Sequence, residues 1–139
     1  MVKPLLNLNW MIGRRVREIQ LEGPISWWFR FEDRGAIRAD TFWRVIAAGR
    51  IHATSEDHGQ LFGLTEPVDS AAKATEALSS AAVQGAGATD SGDLVLHFEN
   101  GSRLEIFSTS SSYESWGVFF PNGDEAIGLG GGEIRLRKE

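Results

Sequence analysis

The chain has 139 residues, 42% of them hydrophobic, and its 19 Asp/Glu outnumber its 14 Lys/Arg to give a net charge of −5. That balance predicts an ordinary soluble globular protein, one domain over 1–139 with enough chain for a core. The absence of cysteine excludes a disulfide framework and thiolate metal sites, and fits a cytoplasmic location. The first fifteen residues carry a short apolar run broken by Asn7 and Asn9, with no small-residue cleavage site after it, so no signal peptide is expected. No apolar stretch reaches the length of a membrane span.

Taken in chain order, the first expected element is a leading strand, Arg15–Leu21, followed by a hairpin around Trp27–Ala39. Its return strand continues in alternation through Ala39, Thr41, Trp43 and Val45, which predicts one long strand over Ala36–Ile46. Gly49-Arg50 is expected to turn it into Ile51–Thr54, before a polar break at residues 55–59. One helix is predicted over Pro67–Ser79, with Thr65 as cap, Pro67 in its first turn and Val68, Ala71, Ala72, Thr75 and Leu78 on its apolar face.

A second leading strand, Ala82–Ala88, precedes the clearest hairpin in the chain, Asp93 to Phe107. Leu94, Leu96 and Phe98 share one face of the outgoing strand, and Leu104 and Ile106 answer from the return. Opposing Leu96 to Leu104 requires an odd-length loop. The prediction is therefore a three-residue loop, Glu99-Asn100-Gly101, with Gly101 left-handed, rather than a two-residue Asn-Gly turn. A serine-rich loop at 108–112 leads into a strand over Tyr113–Phe120. Pro121-Asn122-Gly123 reads as a type I turn, and Ala126–Leu129 and Glu133–Arg137 as the last strands, separated by three glycines.

Shifting the sequence by 67 positions superposes the two hairpins without a gap. Trp27, Phe29 and Phe31 fall on Leu94, Leu96 and Phe98, and Ile37 and Ala39 on Leu104 and Ile106. The predicted class is α+β: mainly antiparallel β, nine or ten strands, with an internal duplication of a strand-plus-hairpin unit (about 15–46 and 82–107), the helix between the units and terminal strands within 113–137. In the first unit the glycine sits one place later, at Gly35, so a differently built tip is expected there.

Signatures of catalysis are weak. His52 and His58 flank Glu56 and Asp57, but their spacing matches no standard zinc pattern. His97 lies on the face opposite Leu96 and Phe98. No Gly-x-Ser-x-Gly elbow occurs, and Gly85-Ala86-Gly87-Ala88 follows a helix rather than a strand, the wrong context for a dinucleotide turn. No metal or cofactor is implied.

Charge is distributed unevenly. Residues 1–60 hold nine cations and seven acids (+2), residues 61–139 five and twelve (−7). An acidic C-terminal half argues against nucleic acid and suits either plain solubility or a partner with a basic surface. Among the five tryptophans, Trp27 and Trp43 are expected in the core, whereas Tyr113 and Trp116 flank an acid just after the serine loop.

The pattern Leu94-x-Leu96-x-Phe98-Glu99-Asn100-Gly101, then Tyr113-Glu114-x-Trp116, then Gly130-Gly131-Gly132 resembles a family of small uncharacterised bacterial domains, common in actinobacteria. There the corresponding halves read L-x-F-x-D-G, Y-E-x-W and G-G. Asn100 stands here for the usual Asp, and Gly130-Gly131-Gly132 where Pro-Gly-Gly is expected. The resemblance covers about the last 60 residues and implies no catalytic residues. Small acidic domains of this kind also resemble immunity proteins of bacterial toxin systems, which act by binding.

These readings lead to a non-enzymatic protein-binding module. Glu99, Glu105, Glu114, Asp124 and Glu125 attract a basic partner, and Tyr113 and Trp116 anchor it. The rival is a small-molecule-binding or hydrolytic protein with a pocket between the two β-units, using His52, Asp57, His58 and His97. Homodimerisation through an exposed edge strand is a third reading.

Overall fold

A computed structural model describes residues 6–139; the part of the N-terminal reading that falls on residues 1–5 lies outside the described residues. Besides two three-residue 3-10 turns, eleven strands and one α-helix are described. They run β1 (Val16–Glu22), β2 (Ser26–Phe31), β3 (Ala36–Ala39), β4 (Trp43–Ala47), β5 (Arg50–Thr54), α1 (Ser70–Leu78), β6 (Val83–Ala88), β7 (Leu94–Phe98), β8 (Arg103–Ile106), β9 (Trp116–Phe119), β10 (Glu125–Gly128) and β11 (Ile134–Arg137). Every strand pair is antiparallel. The class is α+β, as expected.

The repeat is written into the register. In the first unit Val16 faces Phe31, Ile19 faces Phe29 and Leu21 faces Trp27; in the second, Val83 faces Phe98, Ala86 faces Leu96 and Ala88 faces Leu94. Even the β-bulge recurs at the same place, with Arg17 and then Gln84 as the extra residue. Both hairpins close over three residues, through Phe31 N–H to Gly35 O (3.0 Å) and Phe98 N–H to Ser102 O (2.9 Å). The second tip is the predicted loop, with Gly101 at φ 86°. The first differs, carrying Asp33 at φ 72° and Gly35 at φ 90°.

The predicted long strand is two strands in two sheets. One sheet has the order β1-β2-β3-β9-β10-β11 and the other β5-β4-β8-β7-β6. After β3 the chain leaves its own unit at Asp40 and pairs β4 with β8; after β8 it returns and pairs β9 with β3. The two crossovers bond each other: Asp40 N–H donates to Ser115 O and Phe107 N–H to Phe42 O, both at 3.0 Å. The Thr41 hydroxyl adds a 2.6 Å bond to Phe107 O. Alternation conceals the break because Ala39 and Trp43 bury into one shared core from opposite sheets, so the period-2 pattern never resets.

That core joins Phe29, Phe31, Ile37, Trp116 and Val118 of one sheet to Trp43, Leu94, Leu96, Phe98 and Leu104 of the other. Trp43 meets Trp27 and Phe29 edge-on across the gap, at 5.1 and 5.2 Å between ring centroids. Helix α1 lies against β1, β4 and β5 and closes that side.

Three smaller expectations are corrected. The helix starts at Ser70, capped by Asp69, whose carboxylate accepts from Ala72 N–H at 3.1 Å. It cannot start at Pro67, because Val68 already bonds Gly59 and Gln60 in a loop closure. Its buried face is accordingly Ser70, Ala74, Ala77 and Leu78. The turn after β4 is Ala48-Gly49, both residues at positive φ (52° and 74°), so β5 begins at Arg50.

Candidate functional site at the ends of the first sheet

Strands β2, β3 and β9 lie side by side, and a groove opens at each end of them. At the crossover end a groove of about 650 Å³ is lined by Ile25, Asp40, Thr41, Ser110, Tyr113 and Glu114, among others. Ile25 precedes β2, and Tyr113 follows the serine loop. They are 60% and 79% exposed, so both leave apolar area in contact with solvent. Between them Asp40 accepts from the Ser26 hydroxyl (2.7 Å) and pairs with Arg38 (3.0 Å), whose other nitrogen lies 3.8 Å from Glu114. Two carboxylates share one guanidinium, which leaves this end with one negative charge in excess. Thr41, Thr109, Ser110 and Ser112 supply hydroxyls along the lining.

From here a polar and aromatic row runs along the outer face of the sheet. Trp28 stacks on Phe119 (5.4 Å, 30°), Arg38 lies over Phe119 (5.6 Å) and Arg30 over Trp28 (5.0 Å). Gly117 leaves room for this stacking; a Cβ there would sit 3.2 Å from the Phe119 ring.

The residues expected to form one acidic surface are distributed differently. Tyr113 and Glu114 line the groove just described. Trp116 does not join them: it is fully buried, with its indole N–H donating to Gly92 O at 2.8 Å, because β9 turns inward as it enters the first sheet. Glu105 is held between Arg44 (2.7 Å) and Arg103 (3.2 Å) on the second sheet. Glu125 pairs with Arg137, and Asp124 pairs with Lys138 (3.4 Å). Asp124 also accepts the backbone N–H of Glu139 at 3.1 Å. That backbone bond, then the contacts with Lys138 and Asn122, holds its carboxyl below the usual range despite some opposing desolvation. Glu99 is exposed at the tip of the second hairpin, away from the groove-lining residues. Four of the five acids, Glu105, Glu114, Asp124 and Glu125, thus stand in ion pairs.

The rival set is not assembled. His52 on β5 lies 3.3 Å from Glu76 of α1, and His58 accepts the Ser70 N–H at 3.1 Å while meeting Trp27 edge-on. His97 is exposed on β7, three strand spacings from β5 and so roughly 14 Å away. Asp57 belongs to the turn after β5, its N–H bonded to the Thr54 hydroxyl. Between the two β-units, where a pocket was expected, stand the buried side chains of the shared core. Among the described residues no group of three potential metal ligands occurs.

Sequence reading missed Ile25 and Asp40. No local signal marks Ile25, and Asp40 was concealed inside the supposed long strand.

The molecule is thus an α+β protein of two antiparallel sheets that exchange strands, with a groove at each end of β2, β3 and β9. Residues 7–138 match a family of unknown function, DUF6188, and the chain belongs to it. No curated protein and no solved structure matches. Among the described residues, no helix is long and apolar enough to cross a membrane.

Proposed function

We propose that this is a cytoplasmic, non-enzymatic protein-binding module of bacterial type, acting in the manner of an immunity protein, whose crossover-end groove takes a basic segment of its partner. The carrying observation is the pairing of two large exposed side chains, Ile25 and Tyr113, with a surplus carboxylate in one groove. An apolar wall can receive the methylene stem of a lysine or arginine while Glu114 and Asp40 receive its charged head. Tyr113 suits an anchor because it offers a large contact area at low cost in conformational entropy.

The test is a fluorescence anisotropy titration with labelled Lys/Arg-rich peptides. Tyr113→Ala and Glu114→Lys are each expected to weaken binding about tenfold, a loss typical of interface anchors. Raising salt from about 50 to about 200 mM is expected to weaken it severalfold, because Glu114 is solvent-exposed. Salt-insensitive binding, or binding unchanged in both variants, would overturn the reading.

A further inference from the structure

The opposite end of the same three strands gathers arginines. A groove of about 360 Å³ lies there between the tip of the first hairpin and the turn after β9, and it brings Arg17, Arg30 and Arg34 together with a single carboxylate, Asp33. Arg30 is already engaged by Glu18 (3.2 Å) and Glu22 (2.7 Å). Arg17 and Arg34 have no carboxylate partner among the described residues. The remaining wall is apolar, formed by Phe119, Phe120 and Pro121.

Two features of local structure deliver the free arginines. Arg17 is the extra residue of the β1 bulge, between Val16, which faces Phe31, and Glu18, which faces Arg30. A bulge re-aims a side chain that regular pairing would send elsewhere. Arg34 stands in the three-residue tip between Asp33 and Gly35, both left-handed. The architecture does not require these cations, for the second unit builds the same bulge and a three-residue hairpin with Gln84, His97 and Gly101 at the corresponding positions.

We propose that the groove binds a small phosphate monoester, the phosphate held by Arg17 and Arg34 and the organic part lying against Phe119, Phe120 and Pro121. Two free guanidinium groups match a dianion in charge, and their planar forks match phosphate oxygens in geometry. The volume exceeds that of a bare phosphate and falls in the range of small-ligand sites, about 300–1,000 Å³. This site is separate from the crossover-end groove and does not depend on the reading given to it.

Calorimetric and NMR titrations of the intact protein with inorganic phosphate, phenyl phosphate and acetate test the assignment. Saturable binding of both phosphates is expected, phenyl phosphate the tighter, with acetate at least tenfold weaker. The double variant Arg17→Gln/Arg34→Gln is expected to lose at least tenfold in affinity while keeping its circular dichroism spectrum. Arg135→Gln, which removes an exposed charge outside the groove, is expected to change nothing. Equal binding of acetate, equal loss in Arg135→Gln, or phenyl phosphate no tighter than phosphate would each overturn the proposal.

Discussion

Two tryptophans show how one position in a repeated unit acquires two chemistries. Trp43 faces Ile106 across the β4–β8 ladder and Trp116 faces Ala39 across β9–β3, so each begins the strand that crosses to the other unit. Both are fully buried. Trp116 donates to Gly92 O, whereas the Trp43 indole N–H has no partner among the described residues. Replacing either by Phe removes similar volume, but Trp116→Phe also strands a buried carbonyl, a further cost of about 1–3 kcal/mol. Chemical denaturation is expected to show Trp116→Phe destabilised more than Trp43→Phe by roughly that margin. The aromatic spacing of Tyr113 and Trp116 was legible, but not that one ring faces solvent and the other the core. Three residues apart, they straddle the point where the chain turns inward.

Among the elements, the second hairpin was the most readable, since its register follows from which residues must share a face. The turn after β9 repeats its solution: Phe120 N–H donates to Asp124 O and Gly123 N–H to Phe120 O, matching Phe98 with Ser102 and Gly101. In both, the asparagine carboxamide oxygen accepts the N–H two residues on, Ser102 from Asn100 and Asp124 from Asn122. At the second of these turns Asp124 also fastens the chain end through Glu139 N–H and Lys138. Its lowered carboxyl pKa means the ionised form is favoured by folding, so the contribution is complete above the ordinary carboxylate range and is lost as pH falls through the depressed value. Protection of the Glu139 amide from exchange, relative to an unstructured chain at the same pH, is therefore expected to persist through mildly acid pH and to be lost only below the ordinary carboxylate range. Asp124→Asn should lack that protection at every pH. The helix start was misread for a comparable reason: Val68 looks helical by spacing, yet its backbone groups are taken by Gly59 and Gln60.

Across the whole molecule, strand exchange makes the two units mutually dependent. Each sheet takes three strands from one unit and the remainder from the other. A half-chain of residues 1–80 would leave β4 without β8 and β3 without β9, exposing Phe29, Trp43 and Ile37. Such fragments are expected to be unfolded separately and to regain β-structure when 1–80 and 81–139 are mixed. Circular dichroism of the fragments alone and together checks this; a half-chain that folds cooperatively by itself would contradict it. The intact protein should accordingly unfold in one transition.

Several features were settled by sequence alone: the α+β class, the repeat at 67 residues, the odd hairpin loop and the inward phase of most strands. These depend on side-chain alternation and on turns a few residues long, both local. Tertiary structure decided the rest. Which sheet a strand joins depends on hydrogen bonds between Asp40, Phe42, Phe107 and Ser115, far apart in the chain. Whether an acid is free depends on which arginine arrives beside it, as Arg44 does for Glu105 across 61 residues. Charge counting placed the functional weight on the C-terminal acids. Folding sets Glu105, Asp124 and Glu125 beside Lys or Arg, places Glu114 in a groove with Tyr113, and assembles at the far end of the same strands an arginine-lined groove no single segment contains.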